Sequence, residues 1–179
     1  MRSAIVVAIT VLCSGTALAQ SQPYAGMQER SIKTLSEQQI ADLRAGRGMG
    51  LALAAELNGY PGPMHSIELA DRLQLAPEQV ASLKGLFDAM KAETIPIGES
   101  LIAQERSLNE EFANRTITPA GLEATTSSIG ATQAALRAAH LKYHLSTAAI
   151  LTPEQVKRYD ELRGYTGSEA PPQHHQRQH

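Results

Sequence analysis

Two hexapeptides of nearly identical spelling decide how this chain is organised: "LAPEQV" at residues 75–80 and "LTPEQV" at residues 151–156. Each has the composition of a helix start. In the second copy Thr152 is the predicted N-cap residue, whose hydroxyl accepts a hydrogen bond from a backbone N–H, and Gln155 reaches back to the N-cap N–H. Pro153 takes the first helical position, where its missing N–H costs nothing. The repeat therefore predicts two helix N-termini.

The first copy differs from the second at one decisive position. Ala76 stands where the second copy has threonine, and its methyl group cannot accept the capping bond. We expect this to weaken the helix by about 0.5–2 kcal/mol. "LSEQQI" at 35–40 and "ITPAGL" at 117–122 repeat much of the same pattern. Such starts are available to any helical chain, so the hexapeptide alone predicts a fold class and no function.

Apolar residues recur at helical spacing along the chain, and no segment alternates with period two. Pro96 and Gly98 interrupt the first long amphipathic stretch, where we expect a kink or a break. The sequence thus predicts an all-α fold, a long kinked antiparallel helical hairpin flanked by shorter helices. The expected helices are one from 35, two at 49–59 and 64–74, two long ones from Pro77 to about Asn114 and from Pro119 to about Ile150, and one from Pro153 to about Arg163.

Residues 1–19 have the pattern of a secretory signal peptide. Arg2 supplies a positive charge, residues 4–12 are apolar, and "ALA" at 17–19 is a small-x-small cleavage site. The mature chain is expected to begin at about Gln20 and to reside in the periplasm.

Composition restricts the function classes. Cys13 is the only cysteine and lies within the predicted signal peptide, so the mature chain has no thiolate ligand and no disulfide. The net charge of −2 is unsuited to nucleic-acid binding. Tryptophan is absent and aromatic residues are scarce, which disfavours a deep small-molecule pocket. Because no nucleophile–base signature is present either, we expect no enzymatic activity and no required cofactor.

The two motifs flank the predicted hairpin, one before its first helix and one after its second. This placement resembles the Spy/CpxP family of periplasmic proteins, whose hallmark is a pair of LTxxQ motifs. The matching positions are Leu75 and Gln79 in the degenerate first copy and Leu151, Thr152 and Gln155 in the intact second copy.

The resemblance covers the predicted domain at 64–163. Residues 20–63 are an N-terminal extension with short helices and have no counterpart in the family's core. Residues 164–179 lack apolar periodicity and are predicted to be a disordered, histidine-rich tail. The family fold implies a homodimer in the shape of a curved cradle.

The resemblance implies three functional hypotheses. The first is an ATP-independent chaperone that binds unfolded or misfolded periplasmic clients under envelope stress. The second is a periplasmic heavy-metal-binding or metal-sensing protein, since the related ZraP and CnrX bind or sense metal ions. The third is a regulator of a membrane sensor kinase.

The chaperone hypothesis needs an exposed apolar surface. A thin helical hairpin cannot bury every apolar stripe, and basic residues would edge a concave client-binding face. The alternative is that residues 31–60 cover this face as extra helices. The candidate edge residues are Lys84, Lys91, Arg106 and Arg115.

The metal hypothesis depends on three histidines. His140 and His144 are four residues apart on the second long helix and therefore share a face. Two imidazoles at that spacing can bind Zn²⁺, Ni²⁺ or Cu²⁺, and His65 is a candidate third ligand. Alternatively, His140 is a polar residue in the hairpin seam and His144 a partly exposed neighbour. The tail histidines His174, His175 and His179 are expected to bind metals only loosely.

Overall fold

The computed structural model describes residues 24–166, and helices dominate this range. Apart from one isolated bridge between Ile32 and Leu35, residues 24–166 contain no β structure, so the all-α prediction is confirmed. The predicted signal peptide at 1–19 and most of the predicted tail lie outside the described residues. After a 3₁₀ turn at Met27–Glu29 come α1 (Glu37–Arg44), α2 (Leu53–Glu56), α3 (Pro63–Glu68), α4 (Pro77–Ala113), α5 (Pro119–Ile150) and α6 (Pro153–Arg163).

Helices α4 and α5 form the predicted antiparallel hairpin. Near the connecting loop, the Gln104 amide donates to the Ser128 hydroxyl at 3.0 Å. Further from the loop, Glu93 accepts from the Lys142 ammonium at 2.8 Å and from the Tyr143 hydroxyl at 2.9 Å. No helix within residues 24–166 combines the length and the hydropathy that crossing a bilayer requires.

Of the kink or break predicted at Pro96, the break does not occur, because α4 runs through this residue as one helix. A proline inside a helix costs roughly 3 kcal/mol through the lost hydrogen bond and the clash with the preceding turn. Here packing on both sides offsets that cost, since Thr94 and Gly98 are buried beneath α1, and Leu101 and Ile102 lie in the core.

The N-terminal segment covers one face of the hairpin and shares its core. Residues from both parts pack into one buried cluster, which corresponds to the alternative in which residues 31–60 bury the apolar face. The cluster contains Ile32, Ile40, Leu43, Leu101, Ile102, Ile129 and Leu136.

Two glycines let α1 approach α4 closely. A Cβ atom on Gly98 would lie 2.7 Å from the Leu43 carbonyl oxygen, so only glycine permits this contact. A Cβ atom on Gly46 would lie 2.8 Å from Oγ1 of Thr94, and Gly46 also has a left-handed φ of 66°. These contacts place residues 45–50 beside α5.

Helices α2 and α3 are shorter than the predicted helices at 49–59 and 64–74. Gly50 and Gly59 have positive φ angles, and so do the non-glycine residues Met49 and Gln74. A left-handed residue ends helical propagation, and the two non-glycine cases carry no local sequence signal.

The helix starts of the two PEQ motifs match their predicted chemistry. The Thr152 hydroxyl accepts from the Gln155 N–H at 3.2 Å, and Gln155 Oε1 accepts from the Thr152 N–H at 3.0 Å. At the first motif only the second bond exists, with Gln79 Oε1 accepting from the Ala76 N–H at 3.0 Å. Ala76 has the extended backbone of an N-cap but no side-chain acceptor.

The two motif glutamines also pair with each other. Nε2 of Gln79 donates to Oε1 of Gln155 at 2.8 Å, and Nε2 of Gln155 donates to Oε1 of Gln79 at 3.0 Å. Gln79 donates in addition to the Ile150 carbonyl at 2.9 Å. The repeated motif therefore joins the start of α4 to the start of α6, a role that the sequence analysis did not anticipate.

Replacing Ala76 with threonine should stabilise the protein by about 1 kcal/mol, because the hydroxyl can cap α4 as Thr152 caps α6. For a chain of this size we expect an increase in Tm of about 2–4 °C. Ala76→Val is the matched control, having the same shape without an acceptor. Equal stabilisation by valine and threonine in thermal unfolding would contradict the capping account.

The amide pair predicts energetic coupling between Gln79 and Gln155. In a double-mutant cycle with Gln79→Ala and Gln155→Ala, urea unfolding should give a coupling energy of about 0.5–3 kcal/mol. Gln39 makes the same local bond at α1, accepting from the Ser36 N–H at 2.9 Å, but lies in another part of the fold. Gln39→Ala and Gln155→Ala should therefore be additive, and additivity for Gln79 and Gln155 as well would refute the pairing.

Candidate metal centre

One cavity brings together all three histidines predicted as metal ligands. It has a volume of about 500 Å³ and lies between the segment at 45–65 and the hairpin, with α6 at its edge. His65, His140 and His144 all line it. The sequence alone gave the spacing of His140 and His144 but had no means of placing His65 beside them.

His140 lies at the wall of this cavity on α5 and is almost completely buried, with 2% of its surface exposed. Residues 45–50 pack against it, and a Cβ atom on Gly48 would lie 3.6 Å from its Nδ1 atom. Its Nε2 atom is buried and has no hydrogen-bond partner among residues 24–166. Burial, and secondarily the charge of nearby His144, lowers the pKa of His140. The neutral imidazole, which is the form that binds metal ions, is therefore favoured.

His144 lies one turn further along α5, and the turn before α3 orients its ring. Its Nδ1 atom lies 2.7 Å from the Tyr60 carbonyl oxygen and, as the only possible donor in this pair, carries the proton. The Nε2 atom consequently presents a lone pair. A Cβ atom on Gly62 would lie 3.1 Å from Nε2, so glycine keeps the space beside this nitrogen open. An imidazole held by a backbone carbonyl through its other nitrogen is the usual arrangement of a metal-binding histidine.

Glu56 is a member of this cavity that the sequence analysis missed. Only 7% of its surface is exposed, and its Oε1 atom accepts from the Tyr159 hydroxyl at 2.6 Å and from the Tyr165 hydroxyl at 3.0 Å. Its Oε2 atom is buried without a hydrogen-bond partner in the described chain and lies 3.6 Å from Nδ1 of His144. One carboxylate oxygen is thus held in place while the other is free to bind a cation.

Helix α6 supplies the groups that hold Glu56. Tyr159 is fully buried, and its burial, together with the bond to Glu56, raises its pKa. The hydroxyl therefore remains a proton donor. Arg163 adds positive charge, with its Nε atom 3.6 Å from Oε1 of Glu56. Tyr159 and Glu56 are 103 residues apart in the chain, so no local pattern could have revealed the contact.

His65 has a different local environment from the other two histidines. It lies on α3, partly exposed, and its Nδ1 atom is 2.9 Å from Oε2 of Glu68, three residues further along the chain. Within the described range no three histidine, cysteine, aspartate or glutamate side chains lie close enough together to hold one ion. His65, His140, His144 and Glu56 are neighbours in one cavity, and closing a coordination sphere would require side-chain movement or further donors.

The fold and the cavity define a class: a helical-hairpin protein with buried imidazole and carboxylate atoms facing a shared space. A family model described as "Heavy-metal resistance" matches residues 48–158, which is more than half of the chain. The chain belongs to this family, a group of Spy/CpxP/ZraP-like helical periplasmic proteins, so the predicted kinship is confirmed. Searches of curated proteins and of solved structures found no match.

The lowered pKa of His140 predicts a pH dependence of stability. The native state binds fewer protons than the unfolded chain, so the free energy of unfolding should fall as pH decreases through about 6.5, the ordinary value for histidine, towards the native pKa. The His140→Gln variant should lose part of this slope between about pH 7 and pH 5, as urea unfolding across that range can determine. An unchanged slope in the variant would contradict the assignment.

Proposed function

We propose that this protein binds a heavy-metal ion in the cavity formed by His140, His144 and Glu56, as a periplasmic metal-binding or metal-sensing protein. The observation that carries the proposal is a pair of buried polar atoms, Nε2 of His140 and Oε2 of Glu56, that lack partners within residues 24–166. An unsatisfied buried polar atom typically costs about 1–3 kcal/mol. Native proteins retain few such atoms, and a functional ligand is one of the usual reasons.

The donor set suits borderline transition-metal ions. Imidazole nitrogens bind Zn²⁺, Ni²⁺ and Cu²⁺, and a carboxylate oxygen can join them. His140 would bind through Nε2 and His144 through the lone pair of its own Nε2 atom. Glu56 would contribute Oε2 and some of the compensating negative charge. Tyr159 on α6 and Tyr165 just after it would orient this carboxylate, as outer partners orient metal ligands elsewhere.

Titration calorimetry of the full mature chain tests the proposal. The imidazoles of the tail are first removed by the substitutions His174→Asn, His175→Asn and His179→Asn. We call the resulting chain, whose length is unchanged, the tail-substituted protein. We expect it to bind one Zn²⁺, Ni²⁺ or Cu²⁺ ion per chain with a Kd of about 1 μM or tighter, which corresponds to roughly −8 kcal/mol.

Adding His140→Ala and His144→Ala to the tail-substituted protein should abolish this binding. Gly62→Ala provides a finer test, because its methyl group would crowd Nε2 of His144 and should weaken binding by roughly tenfold or more. Gly48→Ala is the matched control, since its methyl group would make ordinary contact with His140. Absence of binding in the tail-substituted protein, or equal binding after loss of both histidines, would overturn the proposal.

A second candidate function is the binding of unfolded clients without ATP. It is favoured by large apolar side chains that remain exposed on α2 and the following turn, namely Leu53, Leu57 and Tyr60. Much of the hairpin's apolar face is covered by the N-terminal segment, so this smaller patch is the better candidate surface. Slowed aggregation of a denatured client in metal-free buffer, lost in Leu53→Ser/Leu57→Ser, would support it. Undiminished activity in that variant would exclude this patch.

The sequence patterns and the family resemblance support further proposals about location, assembly and activity. We propose export through the signal peptide, a homodimeric cradle, and the absence of nucleic-acid binding and catalysis. A regulatory contact with a membrane sensor kinase is compatible with metal sensing, because ion binding at Glu56 would act directly on α6.

A further inference from the structure

Methionine sulfur is concentrated at the candidate metal cavity. The whole chain has five methionines, and three of them, Met49, Met64 and Met90, line this one cavity. Met90 is buried on α4, where a methionine is an ordinary core residue. Met49 and Met64 are not explained in this way, because 42% and 39% of their surfaces are exposed.

The backbone at Met49 gives a second, independent sign of function. Met49 has a φ of 43°, in the left-handed region that favours glycine, and it stands between Gly48 and Gly50. A side chain kept at such a strained position is a reason to look for a role of that side chain. Glycine at this position would relieve the strain but would remove the thioether from the cavity rim.

The two exposed methionines lie beside the glycines that contact the two imidazoles. Gly48, which packs on His140, immediately precedes Met49. Gly62, which packs on His144, stands two positions before Met64. Each of these two imidazoles therefore contacts a glycine that lies one or two positions from a methionine, Met49 in the loop at 45–50 and Met64 on α3. The three rotatable bonds of methionine allow the sulfur to move inward.

We propose that the preferred ion of this cavity is a soft monovalent cation, Cu(I) or Ag(I), bound by the imidazoles of His140 and His144 together with the thioethers of Met49 and Met64. The inference rests on the proposed metal-binding function and specifies its ion class. Thioethers are soft, uncharged donors that select Cu(I) over harder ions.

Two further observations favour a monovalent ion. A structural Zn²⁺ site takes four nitrogen, oxygen or thiolate ligands, and no three such side chains are grouped anywhere in residues 24–166. The cavity is also lined by three cationic side chains, those of Arg47, Lys91 and Arg163, against the single carboxylate of Glu56. Because the Coulomb energy scales with the charge of the bound ion, this excess of positive lining groups disfavours a divalent ion twice as strongly as a monovalent one.

The test compares affinities for soft and borderline ions in the tail-substituted protein. Ag(I), which is redox-inert, and Cu(I), kept reduced under anaerobic conditions, are titrated in competition with a chromophoric chelator, while Zn²⁺ and Ni²⁺ are titrated by calorimetry. Met49→Leu and Met64→Leu preserve side-chain volume while removing sulfur. Met27→Leu is the matched control, since Met27 lies on the 3₁₀ turn and does not line the cavity.

We expect the Met49→Leu/Met64→Leu variant to bind Ag(I) and Cu(I) at least about tenfold more weakly. Mutation of a residue that only positions a metal ligand often lowers the metal affinity by that much. Its Zn²⁺ and Ni²⁺ affinities should stay within about twofold, because leucine leaves the imidazoles in place. In the unsubstituted cavity, the ¹³C-methyl NMR signals of Met49 and Met64 should shift on addition of Ag(I), while that of Met27 should not.

The outcomes separate this inference from the proposed function. Zn²⁺ or Ni²⁺ binding that depends on His140 and His144, with Ag(I) affinity unchanged in the methionine variant, would overturn the soft-ion inference alone. Failure of all four ions to bind would overturn both. Loss of Zn²⁺ and Ag(I) binding to the same extent in the methionine variant would indicate collapse of the cavity and would also contradict the assigned ligand role.

Discussion

The reciprocal amide pair between Gln79 and Gln155 is the interaction on which the base of this fold depends. Each glutamine has two tasks, because its Oε1 atom accepts from the N-cap N–H of its own helix and from the amide of the other glutamine. The two copies of the repeat therefore supply the two partners of a single interaction. It brings the start of α6 against the start of α4, although the whole hairpin separates them in the chain.

The position of α6 in turn determines the state of Glu56. Once α6 is attached at its N-terminus, Tyr159 lies where its hydroxyl can donate to Glu56, and Tyr165, just after the helix, adds a second bond. One carboxylate oxygen is fully engaged as a result, and the other faces His144 without a hydrogen bond in the described structure. The glutamine pair thus holds α6 at the end opposite the cavity. Ion binding at Glu56 would in turn alter the contact of this carboxylate with Tyr159 on that helix.

The opposite wall of the cavity depends on close backbone packing. Gly98 admits the end of α1 against α4, and Gly46 turns the chain in the left-handed conformation beside Thr94. The loop at 45–50 then lies over His140 and buries it, which favours its neutral form. Four separated parts of the chain therefore line one cavity: the segment at 45–65, which carries Glu56, part of α4, two turns of α5, and the end of α6 with Tyr165.

Sequence reasoning predicted the features that have local causes. Pro77, Pro119 and Pro153 each begin a helix, because a proline at the first helical position and the residues around it act within one turn. The hairpin followed from helical periodicity, and the His140–His144 pair followed from spacing. At Pro96, where a kink or a break was predicted, the helix does not break, because tertiary packing offsets a local penalty that the sequence shows by itself.

The features that were missed depend on distant partners. Glu56 is indistinguishable in sequence from a surface glutamate, and only its contact with Tyr159 makes it a buried, half-satisfied carboxylate. The pairing of Gln79 with Gln155 was missed for the same reason, since each glutamine already had a sufficient local explanation. The helix predicted at 49–59 is shorter in the structure, and Met49 at its start has a left-handed backbone conformation. The methionine side chain gives no sequence signal for that conformation.

The decisive measurement is anomalous X-ray diffraction from crystals of the tail-substituted protein grown with a bound metal ion, because it shows whether the ion lies in the cavity. Data collected on either side of the ion's absorption edge locate the metal without reference to any assumed ligand. We expect a single strong peak within the cavity, at bonding distance from Nε2 of both His140 and His144. A peak elsewhere on the protein, or no ordered peak in crystals soaked well above the measured Kd, would contradict it.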